Sequence, residues 1–258
     1  MVIKSITLVC ILSFFLFIND ILPQINAERF RIATDSLGFS ARVDLDLTLL
    51  TGNTDFVFLG TNARLNYNRG TDYTFLVLNG GYGINDGESF FSQAILHLRN
   101  VDALSDFASL EEFIQYNNNK EILLLDRALI GGGLRLKLME SDELVMRLGP
   151  SIFFEHEVYD LDSLATHKRV TNSIRLNLYY TSLFKIHESL SFLGIIYLQP
   201  KIDQFEDFRI LFDSALNIKL ASSFDLMIKL EMRYDNLPAD DVEKFDLITK
   251  LGIAMYLE

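Results

Sequence analysis

The sequence predicts an all-β protein, a transmembrane up-and-down antiparallel β-barrel of about 12 strands. Three observations predict it. Apolar and polar residues alternate with period two from Leu37 to the end of the chain, the pattern of strands whose two faces meet different media. The alternating stretches outrun the usual soluble strand of about 5 or 6 residues. They follow an amino-terminal segment built like a secretion signal. Composition sets the bounds. With 258 residues, 49% of them hydrophobic, the chain makes one domain or at most two. A net charge of -12 without a basic cluster argues against nucleic acid as a partner, because phosphate would repel it. Cys10 is the single cysteine, so an intrachain disulfide and a zinc site of several thiolates are both excluded.

Residues 1–27 read as a signal peptide. Lys4 precedes an apolar run from Ile6 to Ile18, shorter than the about 20 residues a membrane-crossing helix needs. Ile25-Asn26-Ala27 offers a cleavage point after Ala27. A retained membrane anchor is the alternative, because Ile25 is large for that position. Cleavage leaves a barrel over residues 28–258 with no cysteine.

In the first strand Leu37, Phe39, Ala41, Val43, Leu45, Leu47 and Leu49 share one face, with Arg42, Asp44 and Asp46 on the other. A helix would scatter those leucines around its circumference. After Thr51-Gly52-Asn53, the second strand sets Val57, Leu59, Ala63 and Leu65 against Asn62, Arg64 and Asn66. The third runs from about Tyr73 to Ile84, where Gly80, Gly81 and Gly83 blur the two faces. The fourth opposes Leu96 and Leu98 to His97 and Arg99. The fifth opposes Leu110, Ile114 and Tyr116 to Glu111, Phe113 and Gln115, and Glu112 interrupts its apolar face. The sixth sets Leu124, Ala128, Ile130 and Leu134 against Arg127, Arg135 and Lys137.

The second half alternates more cleanly. Leu148, Ile152 and Phe154 oppose Arg147, Glu155 and Glu157 in the seventh strand; Ile174, Leu176 and Leu178 oppose Arg169, Ser173 and Arg175 in the eighth. The ninth passes through Leu190, Phe192, Ile196 and Leu198. The tenth sets Ile210, Phe212 and Leu216 against Arg209, Asp213 and Lys219, and the eleventh sets Leu226, Ile228 and Leu230 against Lys229, Glu231 and Arg233. The twelfth alternates Leu247, Leu251, Ile253 and Leu257 with Asp246, Lys250 and Gly252.

A soluble sandwich or barrel would bury the apolar face and wet the charges. An outer-membrane barrel does the reverse, with lipid on the apolar face and the charges in the lumen. Large side chains hold the apolar positions in strand after strand, leaving no small residues to let a closed core taper. That favours lipid. A closed barrel also pairs every backbone group, which lipid demands. Short connections at 140–143, 185–189 and 221–223 alternate with longer ones at 160–168, 201–207 and 235–244, as periplasmic turns alternate with outer loops.

These residues also carry a family resemblance. Thr51-Gly52-Asn53 is followed by Gln115-Tyr116, then Arg127, Gly131, Gly133 and Arg135, then Gly149 with Glu155 and Glu157. Arg169, Tyr197-Leu198-Gln199-Pro200, Asp207-Phe208-Arg209, and Tyr234-Asp235 with Pro238 and Asp246 complete the order. In this order and spacing the chain resembles the salt-induced outer-membrane protein family, catalogued as domain of unknown function 481. The resemblance implies an outer-membrane barrel of Gram-negative bacteria and carries over no catalytic residue. Lys250, Gly252, Met255 and Leu257 resemble the carboxyl-terminal assembly signal of such barrels, with Leu257 and a further Glu258 where an aromatic end is usual. With no Trp in the chain, Tyr and Phe are left to form the interfacial girdles.

Chemical motifs are sparse. His97, with Gln93 and Arg99, faces the lumen and is the best catalytic candidate, but a structural lumen residue is the stronger reading. Neither a nucleophile elbow, a metal-ligand spacing nor a phosphate-binding loop is present, and no cofactor is expected. The lumen face is expected to carry Arg42, Arg64, Arg99, Arg127, Arg135, Arg147, Arg169, Arg175, Arg209 and Arg233 against fewer acids, among them Glu155, Glu157 and Asp213. An open lumen with that surplus would favour a small anionic solute; a lumen filled by salt bridges is equally compatible with twelve strands. The expectation is an exported outer-membrane protein, a passive small-solute channel or an envelope structural protein. Its partners would be outer-membrane lipid, lipopolysaccharide and, during biogenesis, the barrel-assembly machinery. An outer-membrane hydrolase acting on lipid or peptide is the alternative.

Overall fold

The computed structural model describes residues 37–50, 56–85 and 88–257. The segment expected to be a signal peptide, the Thr51-Gly52-Asn53 segment and Glu258 lie outside them. Twelve strands run β1 (Gly38–Leu50), β2 (Phe56–Asn68), β3 (Tyr73–Asn85), β4 (Glu88–Ala103), β5 (Ala108–Asn119), β6 (Leu124–Glu140), β7 (Leu144–Tyr159), β8 (Val170–His187), β9 (Leu190–Lys201), β10 (Gln204–Ala221), β11 (Phe224–Asp235) and β12 (Phe245–Leu257). Each pairs antiparallel with its sequence neighbour, and β1 pairs with β12 to close the barrel. Closure leaves no edge strand.

Period-two alternation sets the two surfaces. Leu59, Leu65, Leu78, Leu96, Ile114, Ile130, Ile152, Leu176, Ile196, Ile228, Leu247 and Ile253 are exposed on the outside, and such a band around a closed barrel belongs in lipid. Aromatic rings gather at both rims of the outer face. Phe39, Tyr67, Phe184 and Phe224 lie near the end with the short turns; Tyr82, Tyr116, Phe205 and Phe245 lie near the other. They sit where interfacial girdles belong.

Three details depart from the sequence reading. Leu124, expected on lipid, is 2% exposed, because register shifts between Leu124 and Asp126 and between Asn117 and Asn119 turn it inward while Leu125 takes the outer face. Segment 201–207 is mostly strand, since β10 begins at Gln204 and only residues 202–203 connect it to β9. In β3 the glycines concealed an inward apolar pair, Phe75 and Val77, both fully buried.

Candidate functional site

The lumen is where charge and chemistry collect. Inward positions of β6, β7, β8 and β10 bring Arg127, Glu155, Arg175 and Arg209 to one level. Glu155, with no exposed surface, receives Arg127 Nη2 at 2.5 Å, Arg175 Nε at 2.6 Å and Arg209 Nη1 at 3.2 Å. The Ser173 hydroxyl donates to it as well, at 2.8 Å. Glu157 pairs with Arg127 Nε at 3.3 Å and Arg209 Nη1 at 3.0 Å. Asp235 accepts from Arg209 Nε at 2.9 Å and Asp246 from Arg233 Nη1 at 3.2 Å, while Asp207 Oδ1 forms an ion pair with Arg175 Nη2 at 2.8 Å. Buried charges are tolerated only when paired, and each of these carboxylates has an arginine nitrogen within 3.3 Å.

A second ionic centre sits nearer the short turns. Glu111 takes Arg135 Nη1 at 3.0 Å, Arg99 Nη1 at 3.4 Å and the Tyr179 hydroxyl at 2.6 Å. Tyr179 reaches it by lying across Gly149, its partner in the β7–β8 register, where any Cβ would collide with the ring. Arg64 stacks on Phe75 at 3.6 Å, Arg147 bridges to Glu140 at 3.0 Å, and Arg42 pairs with Asp44 at 2.8 Å. Asp213 is buried on the same wall.

Arg169 departs from this set: it is exposed, in the loop just before β8. Lys137 and Lys219 are exposed towards strand ends, while Asp235, read as a loop residue, is buried inside. The expected surplus of positive charge therefore shrinks. Among the described residues, ten buried Arg and Lys face nine buried Asp and Glu. Of the assembly-signal residues, Lys250 pairs with Glu231 at 3.1 Å, Gly252 lies inward against Asp46, Met255 pairs in register with Phe224, and Leu257 pairs with Ala41.

Around His97 the described residues leave little free space. A cavity of about 40 Å³ between His97, Arg99, Arg127 and Gln199 holds a few waters at most. His97 is buried with both ring nitrogens engaged: Nδ1 lies 3.0 Å from Gln115 Oε1, and Arg99 Nε donates to Nε2 at 3.3 Å. Phe75 and Phe113 stack on its two sides, each with centroids 6.1 Å away. The ring is a packed polar spacer in this arrangement.

The long-loop end carries a cap that sequence reasoning missed. Ile122 and Leu124, Tyr159 and Leu161, and Ala239 form an apolar cluster from the connections β5–β6, β7–β8 and β11–β12. Asp240 reaches across to accept from the Thr166 hydroxyl at 2.6 Å and the His167 amide at 2.5 Å. Those two hydrogen bonds hold the Asp240 carboxyl below its ordinary pKa. Recesses of about 500 and 910 Å³ lie at the opposite, short-turn end. The lumen is thus covered on one side and indented on the other.

Comparison with known proteins comes down to family and fold. A family model described as "Protein of unknown function, DUF481" matches residues 43–255. No curated protein matches. Among solved structures, the NanC porin is similar at 8% identity and a TM-score of 0.50, covering 84% of this chain and all (100%) of that one. The translocator domain of the autotransporter NalP from Neisseria meningitidis has 7% identity and a TM-score of 0.45, covering 86% of this chain and 90% of that one. The transport unit of the autotransporter AIDA-I from Escherichia coli has 12% identity and a TM-score of 0.42, covering 94% of each chain.

Proposed function

The chain belongs to the DUF481 family of unknown function, and on that premise we propose that it is an outer-membrane barrel whose resting state is closed. Its first role in this reading is structural, as a rigid element of the envelope. The observation that supports it most is Glu155, enclosed by three arginines at the level where an open channel would need water. Porin lumens of 16 to 18 strands leave an aqueous channel, and about eight strands fill theirs with side chains; this interior follows the smaller class.

Passive conduction is the second reading, favoured by the two recesses at the short-turn end. It requires the ionic layers to rearrange. Small anions are the solute class we propose for the opened state, on the narrow excess of buried cations. Reconstitution in planar bilayers tests both readings. The expected record is a closed baseline with rare openings, and those openings should reverse on the anion side in a salt gradient. Steady porin-like conductance would discard the structural reading, and cation selectivity would discard the anion assignment.

A further inference from the structure

Glu112 is the charge that neither the lumen nor the cap absorbs. It is exposed on the lipid side of β5, opposite Asn100 of β4 and Gly132 of β6. It has no hydrogen-bond or ion-pair partner among the described residues. A carboxylate turned to lipid is costly unless something compensates it.

Its surroundings have an order. Register pairs Phe39, Tyr67, Thr74, Asn100 and Glu112 in a single row across β1 to β5. Phe39 and Tyr67 stack at 4.6 Å and belong to the short-turn girdle, which places the row at the boundary between headgroups and acyl chains. The next row towards the midplane is Ala41, Leu65, Leu76 and Leu98. It borders an outer groove of about 480 Å³ that Phe39, Tyr67 and Thr74 also line. Small side chains at Ala41 and Thr74, beside two large rings, leave that hollow.

The row on the other side is charged. Arg69 Nη1 donates to Thr74 Oγ1 at 2.9 Å, and Nη2 donates to Asn100 Oδ1 at 3.1 Å. Arg69 Nη2 lies 3.5 Å from Asp102 Oδ1, with the two side chains 36% and 44% exposed. Thr74 therefore belongs both to the apolar groove and to the charged rim, so the two are contiguous. The rim holds one cation, Arg69, and three carboxylates, Asp72, Asp102 and Glu112; Asp72 accepts from the Ala103 amide at 2.9 Å, and Asp102 accepts from Asn100 Nδ2 at 2.7 Å. Such a rim repels an anionic headgroup and suits one that brings its own cation.

We propose that this face binds one zwitterionic glycerophospholipid whose headgroup ends in a primary ammonium. One acyl chain fills the groove, the phosphate meets Arg69, and the ammonium meets Asp102 and Glu112. A primary ammonium offers three N–H donors; a quaternary choline offers none. Charge-assisted hydrogen bonds of this kind are the strong ones. The assignment rests on the membrane reading of the barrel, which heat-dependent gel migration tests separately.

Native mass spectrometry of the detergent-extracted full barrel, titrated with phosphatidylethanolamine, phosphatidylglycerol and phosphatidylcholine of matched chains, is the test. Ethanolamine lipid should be retained about tenfold over the other two. Glu112→Gln and Arg69→Ala should each erase most of that preference, while Ala41→Phe, which fills the groove, should lower retention of every lipid. Each variant is first shown to be folded by its gel migration. Equal retention of the three headgroups overturns the proposal, as does parental retention in Glu112→Gln and Ala41→Phe.

Discussion

Glu155 depends on every one of its neighbours. Its carboxylate has no exposed surface and answers to Arg127, Arg175 and Arg209 together. Deleting one member strands the rest, at a typical cost of about 3–5 kcal/mol for a broken buried pair. Arg209→Ala should therefore lower the urea midpoint of the barrel in lipid vesicles, and Glu155→Gln should do the same. Parental midpoints in both would mean that the layer is hydrated. Gly149 is a second sensitive position, because Tyr179 occupies the space a Cβ would need. Gly149→Val should dislodge Tyr179 from Glu111 and loosen Arg99 and Arg135 with it; proton exchange of the Tyr179 hydroxyl reports this directly, and an unchanged rate would show the contact to be incidental. Alternation alone made Arg127, Glu155 and Arg175 legible as lumen residues. Asp235 was hidden because it ends its strand next to a polar loop, and Phe75 because apolar side chains and glycines occupy both faces of β3. Tyr179 could have been found, since it continues the odd-numbered series of Arg175 and Asn177.

Strands were the most legible elements, because a period of two survives any loop length. The loops were less so. Segment 201–207 reads as a loop by its charges, yet Asp207 and Arg209 continue the alternation and are held inward by Arg175 and Glu155. The faces can be tested at a single strand. Leu176→Arg on the outer side of β8 should cost about 2–4 kcal/mol near the midplane, whereas Ser173→Ala on the buried inner side, which removes one hydrogen bond to Glu155, should cost about 1 kcal/mol; equal losses in assembled protein would count against the assignment of the two faces. The cap was not legible, because its cohesion comes from residues of three connections far apart in sequence. Its latch has a pH signature. Asp240 is held below its ordinary pKa by Thr166 and the His167 amide, and the charge of His167 acts in the same direction. A group depressed in the folded loop adds stability above its unfolded pKa and loses it as pH falls through the folded value. Protection of the Tyr159, Asp160 and Val242 amides against hydrogen exchange should thus be constant near neutrality and fall in strong acid, below the ordinary aspartate value of 3.8. Asp240→Asn should show the loosened cap already at neutral pH. Constant protection in acid, together with parental protection in the variant, would remove Asp240 from the latch.

For the whole molecule, the decisive step is the meeting of β1 with β12. Among the described residues their register covers Ala41↔Leu257 to Leu45↔Ile253, five pairs against thirteen between β1 and β2, so the described hydrogen bonding is thinner at this seam. Side chains in the lumen reinforce it. Lys229 of β11 reaches over β12 to Asp44 at 3.4 Å and Asp46 at 3.6 Å on β1, and Arg42 Nη2 lies 2.8 Å from Met227 Sδ along the same route. The span passes because β12 presents small residues inward at the Asp44 and Asp46 levels, Ala254 and Gly252, while Lys250, opposite Lys229, turns to Glu231. A side chain at Gly252 would collide with the Asp46 carboxylate, pushing apart the ion pairs that tie the first strand to the last. The glycine read from sequence as part of an assembly signal thus has a second, mechanical reason to be there. A closed barrel resists detergent unfolding, so unboiled protein should migrate differently from boiled protein in a gel. Gly252→Val should shrink the fraction that does so and lower the temperature at which the remainder converts. Lys137→Ala, which breaks only an exposed pair with Glu140 on β6, far from the seam, should leave both nearly unchanged. If Gly252→Val closes as completely as the parent and converts at the same temperature, the seam is held by its backbone ladder alone and the bridge over β12 contributes nothing to closure.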